Sequence, residues 1–262
     1  MKLPPRILCR RLYHPNVVEH QVKHPLFPLT YGPHSLQYKV LENTLSKYVP
    51  LYGFDERAIV ASANELGLGG AVISALGAHN SPSFFHTSPA VLELVKFHLV
   101  TKRYALTNAL DPSRAPGGLS SIPDELPTLE ALFKRRLELN VPIGSHLTPL
   151  LSMLSIPGEY LVNTALPELH RLSDDLVFFS QEKDSHDFAW YAKRAAISCA
   201  FVSSELFMAQ DKSHNFNKTF EFAEEKLHKV TKLGEYYNNT EEYMWYTLLT
   251  SINLAKSQLT RG

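Results

Sequence analysis

The chain has 262 residues, 44% of them hydrophobic and 20% charged, and equal numbers of acidic and basic side chains give it a formal net charge of zero. This composition is typical of a globular protein with a sizeable core and excludes an intrinsically disordered chain. The balanced charge provides no overall positive field that would attract nucleic acid or an acidic membrane.

Residues 1–33 form a basic, Pro- and His-rich lead-in to the first predicted helix. Four basic residues precede the first acidic residue, Glu19, with apolar residues between them. An acid-free, arginine-bearing start is typical of a mitochondrial presequence, with cleavage expected near Tyr13. The alternative is a basic tail without a targeting role, because Pro4 and Pro5 interrupt an amphipathic helix. The sequence contains no run of about 18 apolar residues that could span a bilayer.

From residue 36 onward, apolar residues recur at helical spacing, and no stretch shows the alternation of a β-strand. Pro50 is expected to end the first helix, and Asp55 to cap the second. The Pro-, Gly- and Ser-rich segment 111–127 predicts a loop. In chain order, the predicted helices span residues 36–48, 55–65, 69–76, 88–110, 128–140, 146–154, 157–179, 187–209, 216–232 and 240–260. The sequence therefore predicts an all-α fold.

The first three predicted helices are short, and Gly67 lies in the turn between the second and the third, which is a helix-turn-helix layout. Followed by a helical domain, this is the arrangement of TetR-type repressors. The third helix, GGAVISAL, has none of the long donor side chains that read DNA bases, and its apolar surface suits burial or contact with lipid or protein. A TetR-type transcriptional regulator with a hydrophobic effector pocket is therefore the alternative, not the first choice.

Motifs that would carry catalysis are missing from the sequence. The run Gly67-Leu68-Gly69-Gly70 lacks the preceding strand and the spacing of a dinucleotide-binding loop. Glu225-x-x-His228 matches half of a di-iron carboxylate motif, but such a site needs a second copy and two further glutamates. Its charged neighbours indicate a solvated helix face instead. We therefore expect no cofactor and no metal, and a non-catalytic chain; an enzyme in its own right is the third possibility.

The helix predicted over residues 187–209 changes character along its length. Its first two turns place two aromatic side chains and two charged ones at spacings of three and four, which is one helical face. These residues are Asp187, Trp190, Tyr191 and Arg194. From residue 195 to 207 only Glu205 is charged, as in a buried central helix. We expect a helix that starts at a surface and continues into the core, although the aromatic residues could equally be core anchors.

The last predicted helix, in residues 236–262, is amphipathic. Its apolar stripe consists of Trp245, Leu248, Leu249, Ile252, Ala255 and Leu259. Docking of this stripe on the chain's own domain is one interpretation. The other is that the helix lies in a membrane interface, which the cluster of Trp and Tyr side chains favours and the small number of cations disfavours.

Three stretches resemble a known family: YVPLYGFDERAIVASANELGLGGAVISAL (48–76), Ser173-Asp174-Asp175-Leu176, and DFAWYAKRAAISCAFVSSELFMAQD (187–211). They are similar to the lipid-binding accessory proteins of mitochondrial ubiquinone (coenzyme Q) biosynthesis, the ninth of the named CoQ proteins, and in particular to fungal members. The resemblance covers roughly residue 36 to the C-terminus. The leader and the 111–127 loop are unmatched.

The resemblance implies an all-α, TetR-like fold with a degenerate N-terminal helix-turn-helix, and a homodimer. It divides the chain into a presequence and lead-in (1–33), a helix-turn-helix-like bundle (34–87), a helical lipid-binding domain (88–235) and a membrane-associating helix (236–262). It implies a peripheral protein on the matrix face of the inner mitochondrial membrane. There, as part of the CoQ synthome, the chain would bind phospholipid and polyprenylated quinone intermediates and present the intermediates to the di-iron demethoxyubiquinone hydroxylase and other ring-modifying enzymes.

The resemblance also implies three groups of site residues. The hydroxylase-contact patch corresponds to Asp187, Trp190, Tyr191 and Arg194, with Leu176 a weaker match. The pocket candidates, which are small or aromatic and would leave room for a prenyl tail, are Ile197, Ala200, Phe201, Ser204, Phe207 and Met208. The membrane contacts are Trp245, Leu248, Leu249, Ile252 and Leu259. One departure is Lys193, where some relatives have an arginine, since a lysine cannot form a planar bidentate contact.

Overall fold

The computed structural model describes residues 26–78, 87–108, 110, 126–182 and 188–235, without the side chains of residues 188–190 and 231–235. All regular structure within these ranges is helical, which confirms the predicted fold class. The leader, most of the 111–127 loop, Asp187 and the whole of the predicted C-terminal helix lie outside the described residues.

In the helix predicted over residues 157–179, a π-helical turn begins at Leu161 and the α-helix follows from Leu166. The helices of the described ranges otherwise follow the predicted order with small differences at their ends, apart from one short helix, Val49–Tyr52, that was not predicted. They are α1 (Leu36–Asn43), α2 (Val49–Tyr52), α3 (Glu56–Glu65), α4 (Ala71–Ala75), α5 (Pro89–Thr107), α6 (Leu129–Glu138), α7 (Leu147–Ser155), α8 (Leu166–Phe178), α9 (Phe188–Met208) and α10 (Asn217–Glu235). Two π-helical turns, Thr44–Tyr48 and Leu161–Ala165, precede α2 and α8. Short 3₁₀ turns, Val141–His146 and His214–Phe216, precede α7 and α10.

The expectation that Pro50 ends the first helix is wrong. The chain continues from α1 through the π-helical turn into α2, and Pro50 lies in the first turn of α2. Pro50 removes one backbone donor at the junction of the π-helical turn with α2, where the chain already departs from regular α-helical pairing, and it does not end the run. The helical run ends instead at Gly53, whose φ is +74°. Asp55 then caps α3 as predicted, since its carboxylate accepts a hydrogen bond from the backbone N–H of Arg57 at 2.8 Å.

A close backbone approach joins α4 to α5. Gly77 has a φ of +77°, and a Cβ at this position would lie 2.1 Å from the carbonyl oxygen of Pro89. Only glycine meets both conditions without a shift of the backbone. This approach places the end of α4, which is only five residues long, directly against the first turn of α5.

The buried apolar side chains form two clusters along α5. One extends along α5 from Ala90 to Tyr104 and combines α1, α3, α5 and α7, with Val40, Ile59, Leu94 and Leu147 fully enclosed. The other begins near the C-terminal end of α5, at Leu106, and combines α6, α8, α9 and α10. α9 runs through this second cluster and packs most extensively on α10. The space between these packed layers holds the site described next.

Candidate functional site

A cavity of about 460 Å³ lies where α7, the Leu161–Ala165 turn, α8 and α9 meet, with α5 and α6 behind it. Its wall is largely aliphatic, and an aromatic ring from α9 closes one side. The apolar lining consists of Leu99, Leu151, Leu154, Leu161, Ala165, Leu166, Leu169, Leu172, Phe201, Val202, Leu206 and Ala209. A volume between roughly 300 and 1,000 Å³ and a predominantly apolar wall are typical of sites for small molecules.

The cavity opens to the surface between the start of α8 and the end of α9. Leu166 is 51% exposed and Leu206 is 49% exposed, and both line the cavity. Exposed polar side chains, Ser152, Ser155 and Gln210, complete the rim. An apolar opening with a polar margin lets a hydrophobic ligand enter without first crossing a charged barrier.

The wall on the α6 side carries a buried polar chain of three residues. Arg136 donates from Nη1 to Oδ1 of Asn140 at 2.8 Å, and Asn140 donates from Nδ2 to Oε1 of Glu205 at 2.6 Å. The guanidinium lies 5.2 Å from the centre of the Phe201 ring, in cation–π contact. Within the described part of the chain, Nε of Arg136 has no hydrogen-bond partner although it is fully buried.

Burial shifts the pKa values of both charged members of this chain. Burial raises the pKa of Glu205 above its ordinary value, and the opposing effects of Arg136 and the Asn140 hydrogen bond only partly offset this. Burial likewise lowers the pKa of Arg136, against the opposite effect of Glu205. Each shift favours the neutral form, as expected for charged groups that burial separates from water.

A second polar group of the lining is fully paired. Arg103 forms ion pairs from Nε to Glu168 and from Nη1 to Asp175, both at 3.1 Å, and also donates to the carbonyl oxygen of Phe27. Glu168 in turn accepts from Arg171 at 2.8 Å. This network joins the N-terminal segment, α5 and α8, so we interpret it as structural support for the cavity wall.

Of the six predicted pocket residues, one lines the cavity. Phe201 does so, whereas Ile197 and Ala200 are buried with it in the cluster of α6, α8 and α10. Met208 is buried in the other cluster, and the Ser204 hydroxyl donates back to the carbonyl oxygen of Ala200. Phe207 faces away and stacks on Phe222, with ring centres 4.5 Å apart.

The predicted pocket stripe and the face of α9 that lines the cavity differ by a rotation about the helix axis. The lining residues of α9 are centred about one residue further along the helix than the predicted stripe, which is roughly 100° around its axis. Apart from Phe201, the predicted stripe does not line the cavity, and Ile197 and Ala200 pack against neighbouring helices and hold α9 in place. The lining contributed by α7 and α8 was missed. The sequence does contain a signal for this lining. Residues 147–172 include more aliphatic side chains than one helical face can bury, and Val162 remains 61% exposed.

The predicted partner-contact residues separate into exposed and buried ones. Tyr191 is 59% exposed, whereas Arg194 is 1% exposed and Leu176 is fully enclosed. Arg194 donates from Nε to Oδ1 of Asp174 at 2.6 Å, which ties α9 to α8. Interior positions are at odds with direct partner contact, so we reassign Arg194 and Leu176 to internal packing. The side chain of Trp190 and all of Asp187 lie outside the described residues.

Lys193, the departure noted in the sequence, has a partner within the chain. Its Nζ lies 2.8 Å from Oε2 of Glu182, and both side chains are partly buried. An internal ion pair needs no planar fork, so a lysine serves here as an arginine would.

Two further features bear on function. Among the described residues, no helix is long and apolar enough to cross a bilayer. Over the same ranges, no group of three or more His, Cys, Asp or Glu side chains is placed to hold a metal ion. The predicted membrane contacts, Trp245, Leu248, Leu249, Ile252 and Leu259, all lie outside the described residues.

Comparison with known proteins gives consistent matches. Residues 162–234 match the family model described as COQ9, a range that contains α8, α9 and nearly all of α10. The chain is 58% identical over 252 residues to the "Ubiquinone biosynthesis protein COQ9, mitochondrial" of Saccharomyces cerevisiae, covering 96% of this chain and 95% of that protein. It is 55% identical over 255 residues to the protein of the same name from Eremothecium gossypii, covering 97% and 99%. It is 32% identical over 219 residues to the one from Schizosaccharomyces pombe, covering 84% and 79%.

Proposed function

Because this chain belongs to the COQ9 family, we propose that it acts in mitochondrial ubiquinone biosynthesis as a non-catalytic protein that binds polyprenylated precursors in the cavity beside α9. The relatives are named as mitochondrial ubiquinone biosynthesis proteins. The single observation that carries the lipid-binding part is the 460 Å³ apolar cavity with its apolar mouth.

The chemistry of the precursors fits the shape of this site. A polyprenyl tail is apolar and long, so its transfer out of a membrane requires a wall that removes its surface from water at roughly 25 cal/mol per Å². The aliphatic lining of α7, α8 and α9 supplies such a wall, and the open end leaves room for a tail longer than the cavity. Phospholipid chains are a second apolar ligand that the same wall would accept.

The location and partners of the protein belong to the same proposal. We place it at the matrix face of the inner mitochondrial membrane, held peripherally by residues 236–262 and assembled as a homodimer with a TetR-like fold. The exposed Tyr191, near the start of α9, would face the di-iron demethoxyubiquinone hydroxylase, to which the bound ring is presented. An exposed aromatic side chain is a common anchor at protein interfaces.

The lipid-binding proposal is tested by filling the cavity. Ala165 lines it, and Ala165→Phe would place an aromatic ring in the space that the tail occupies. We expect the purified wild-type chain to carry isoprenoid or quinone-like lipid that native mass spectrometry detects, and the A165F variant to carry less than about a tenth as much, a loss that corresponds to about 1.4 kcal/mol of binding free energy.

The matched control makes the same chemical change on an exposed face. Ala195 lies on α9 and is exposed to solvent, so Ala195→Phe should leave the bound lipid unchanged. Wild-type protein that carries no lipid and takes none up from vesicles would overturn the proposal. Equal lipid in wild type and A165F would show that the lipid binds elsewhere.

A further inference from the structure

The lining of the cavity becomes steadily less exposed from the mouth to an inner end. On α8, Leu166 is 51% exposed, Leu169 is partly buried and Leu172 is 5% exposed. On α9, Leu206 is 49% exposed and Phe201 is 3% exposed. All five side chains line the cavity, so it runs inward from Leu166 and Leu206 to an inner end formed by Leu172 and Phe201.

A packed core closes this inner end. Leu172 and Phe201 are both members of the buried cluster of α6, α8, α9 and α10. The Phe201 ring meets Phe133 edge-on, with ring centres 5.8 Å apart, and its centre lies 5.2 Å from the Arg136 guanidinium. Because protein interiors are close-packed, a chain that enters at the mouth ends at Leu172 and Phe201.

The size of the cavity limits how much of a tail it encloses. With about 30 Å³ for each non-hydrogen atom, the share of one water molecule in the liquid, the volume of about 460 Å³ holds about 15 carbon atoms, or about three prenyl units of five carbons each. Leu166 and Leu172 lie about 9 Å apart along the α8 axis, and about two extended prenyl units of four C–C bonds span that distance. The cavity therefore has room for two extended units, or for three where the tail bends.

We propose that the cavity encloses about three prenyl units of the ligand, that Leu172 and Phe201 set this number, and that the rest of the molecule stays outside the mouth. This inference rests on the proposed lipid-binding function and adds to it the length of tail that is recognised and the residues that determine it. Units beyond the third are not removed from water by the wall, so they contribute little to the affinity. The protein then binds ligands with three or more prenyl units about equally well.

The experiment measures affinity against tail length with the full-length purified chain. Prenyl alcohols of one to five units compete in water with a dansyl-labelled undecanoic acid for the cavity. Each enclosed unit removes apolar surface from water, so we expect the second and the third unit each to tighten binding about tenfold or more. The fourth and the fifth unit should each change the affinity by less than about twofold.

Variants at the inner end should move the tail length at which the affinity levels off. Phe201→Ala makes room for about one more prenyl unit, so the fourth unit should then tighten binding about tenfold. Leu172→Phe fills the inner end from α8, and the gain from the third unit should fall below about threefold. The matched control is Phe207→Ala, the same change on the side of α9 that stacks on Phe222, and its affinity should level off where that of the wild type does.

The outcomes distinguish this inference from the function on which it rests. If no alcohol displaces the probe from the wild type, the proposed binding of prenyl chains itself fails. If the affinity keeps rising through the fourth and fifth units, or if the third unit adds nothing, the chain binds prenyl lipid but the inference is overturned. The same holds if F201A and F207A level off at the same tail length. If F201A and L172F do not fold, as judged by circular dichroism, the wild-type series decides: levelling after the third unit supports the inference, and any other pattern overturns it.

Discussion

Arg194 illustrates how a residue that looks like a surface contact in the sequence can be part of the interior. It follows Tyr191 on one helical stripe, yet Tyr191 is exposed and Arg194 is enclosed beside Asp174. The Ser173-Asp174-Asp175-Leu176 stretch explains the difference, since Asp174 pairs with α9 and Asp175 pairs with Arg103 on α5. The sequence does not distinguish a buried ion pair from an exposed one, because burial of the pair depends on which helices pack together.

Removal of one partner of this buried pair should be costly. Asp174→Asn removes the carboxylate charge that pairs with the buried Arg194 guanidinium at 2.6 Å, so we expect the free energy of unfolding to fall by about 3–5 kcal/mol. Urea denaturation followed by circular dichroism measures this. The matched control is Glu225→Gln, which breaks an exposed pair with Lys229 on α10 and should cost no more than about 0.5 kcal/mol. Equal losses in the two variants would contradict a buried structural role for Arg194.

Glu205 should make the stability depend on pH in the direction opposite to most carboxylates. Burial raises its folded-state pKa above the ordinary value of 4.5, so its contribution is fully present below pH 4.5 and is lost as the pH rises through the raised value. Arg136, the charged group that faces it, only partly opposes this. Glu205→Gln keeps an oxygen that can accept from Asn140 but cannot ionise.

We therefore expect the unfolding free energy of E205Q to gain on that of wild type as the pH is raised from 4.5 to 8. Urea midpoints measured across this range give the difference directly. A constant difference between the two proteins would show that Glu205 has the same pKa in the folded and unfolded states.

At the scale of the helix, the sequence predicts existence and length better than orientation. The limits of α9 differ from the prediction by one residue at each end, because the change from charged to apolar composition is sharp. The prediction of which face of α9 lines the cavity was wrong, because residues 195–207 are apolar on nearly every side and their pattern does not indicate an inward face. The aliphatic surplus of α7 and α8 is visible in the sequence, but only the packing shows that it encloses a space.

The junction of α4 and α5 gives a prediction at this scale. Gly77→Ala would strain a positive φ and bring a Cβ against the Pro89 carbonyl, so we expect the free energy of unfolding to fall by more than about 1 kcal/mol. Gly158→Ala is the control, because its Cβ meets nothing within 4 Å and its φ is not positive, and it should be neutral or slightly stabilising. Thermal unfolding of both variants provides the measurement. An unchanged G77A would mean that the α4–α5 junction relaxes freely.

At the scale of the whole molecule, the proposed function requires two separate capacities: attachment to a membrane and removal of a lipid from it. The first is predicted for the apolar stripe of residues 236–262, and the second for the cavity beside α9. The two regions are separate in the chain, so variants can remove one capacity and leave the other.

Liposome flotation separates these capacities in one experiment. The triple variant Trp245→Ser, Leu248→Ser, Leu249→Ser removes three apolar anchors, and at roughly 1.5–3 kcal/mol for each buried side chain it should bind vesicles at least a hundredfold more weakly. The cavity variant A165F should float with the vesicles as wild type does but extract no prenylated quinone from them, which mass spectrometry of the re-isolated protein measures. Flotation of the triple variant at the wild-type level would contradict attachment through this stripe. If A165F lost flotation as well, the membrane contact would include the cavity mouth at Leu166 and Leu206, and attachment and extraction would be functions of one surface.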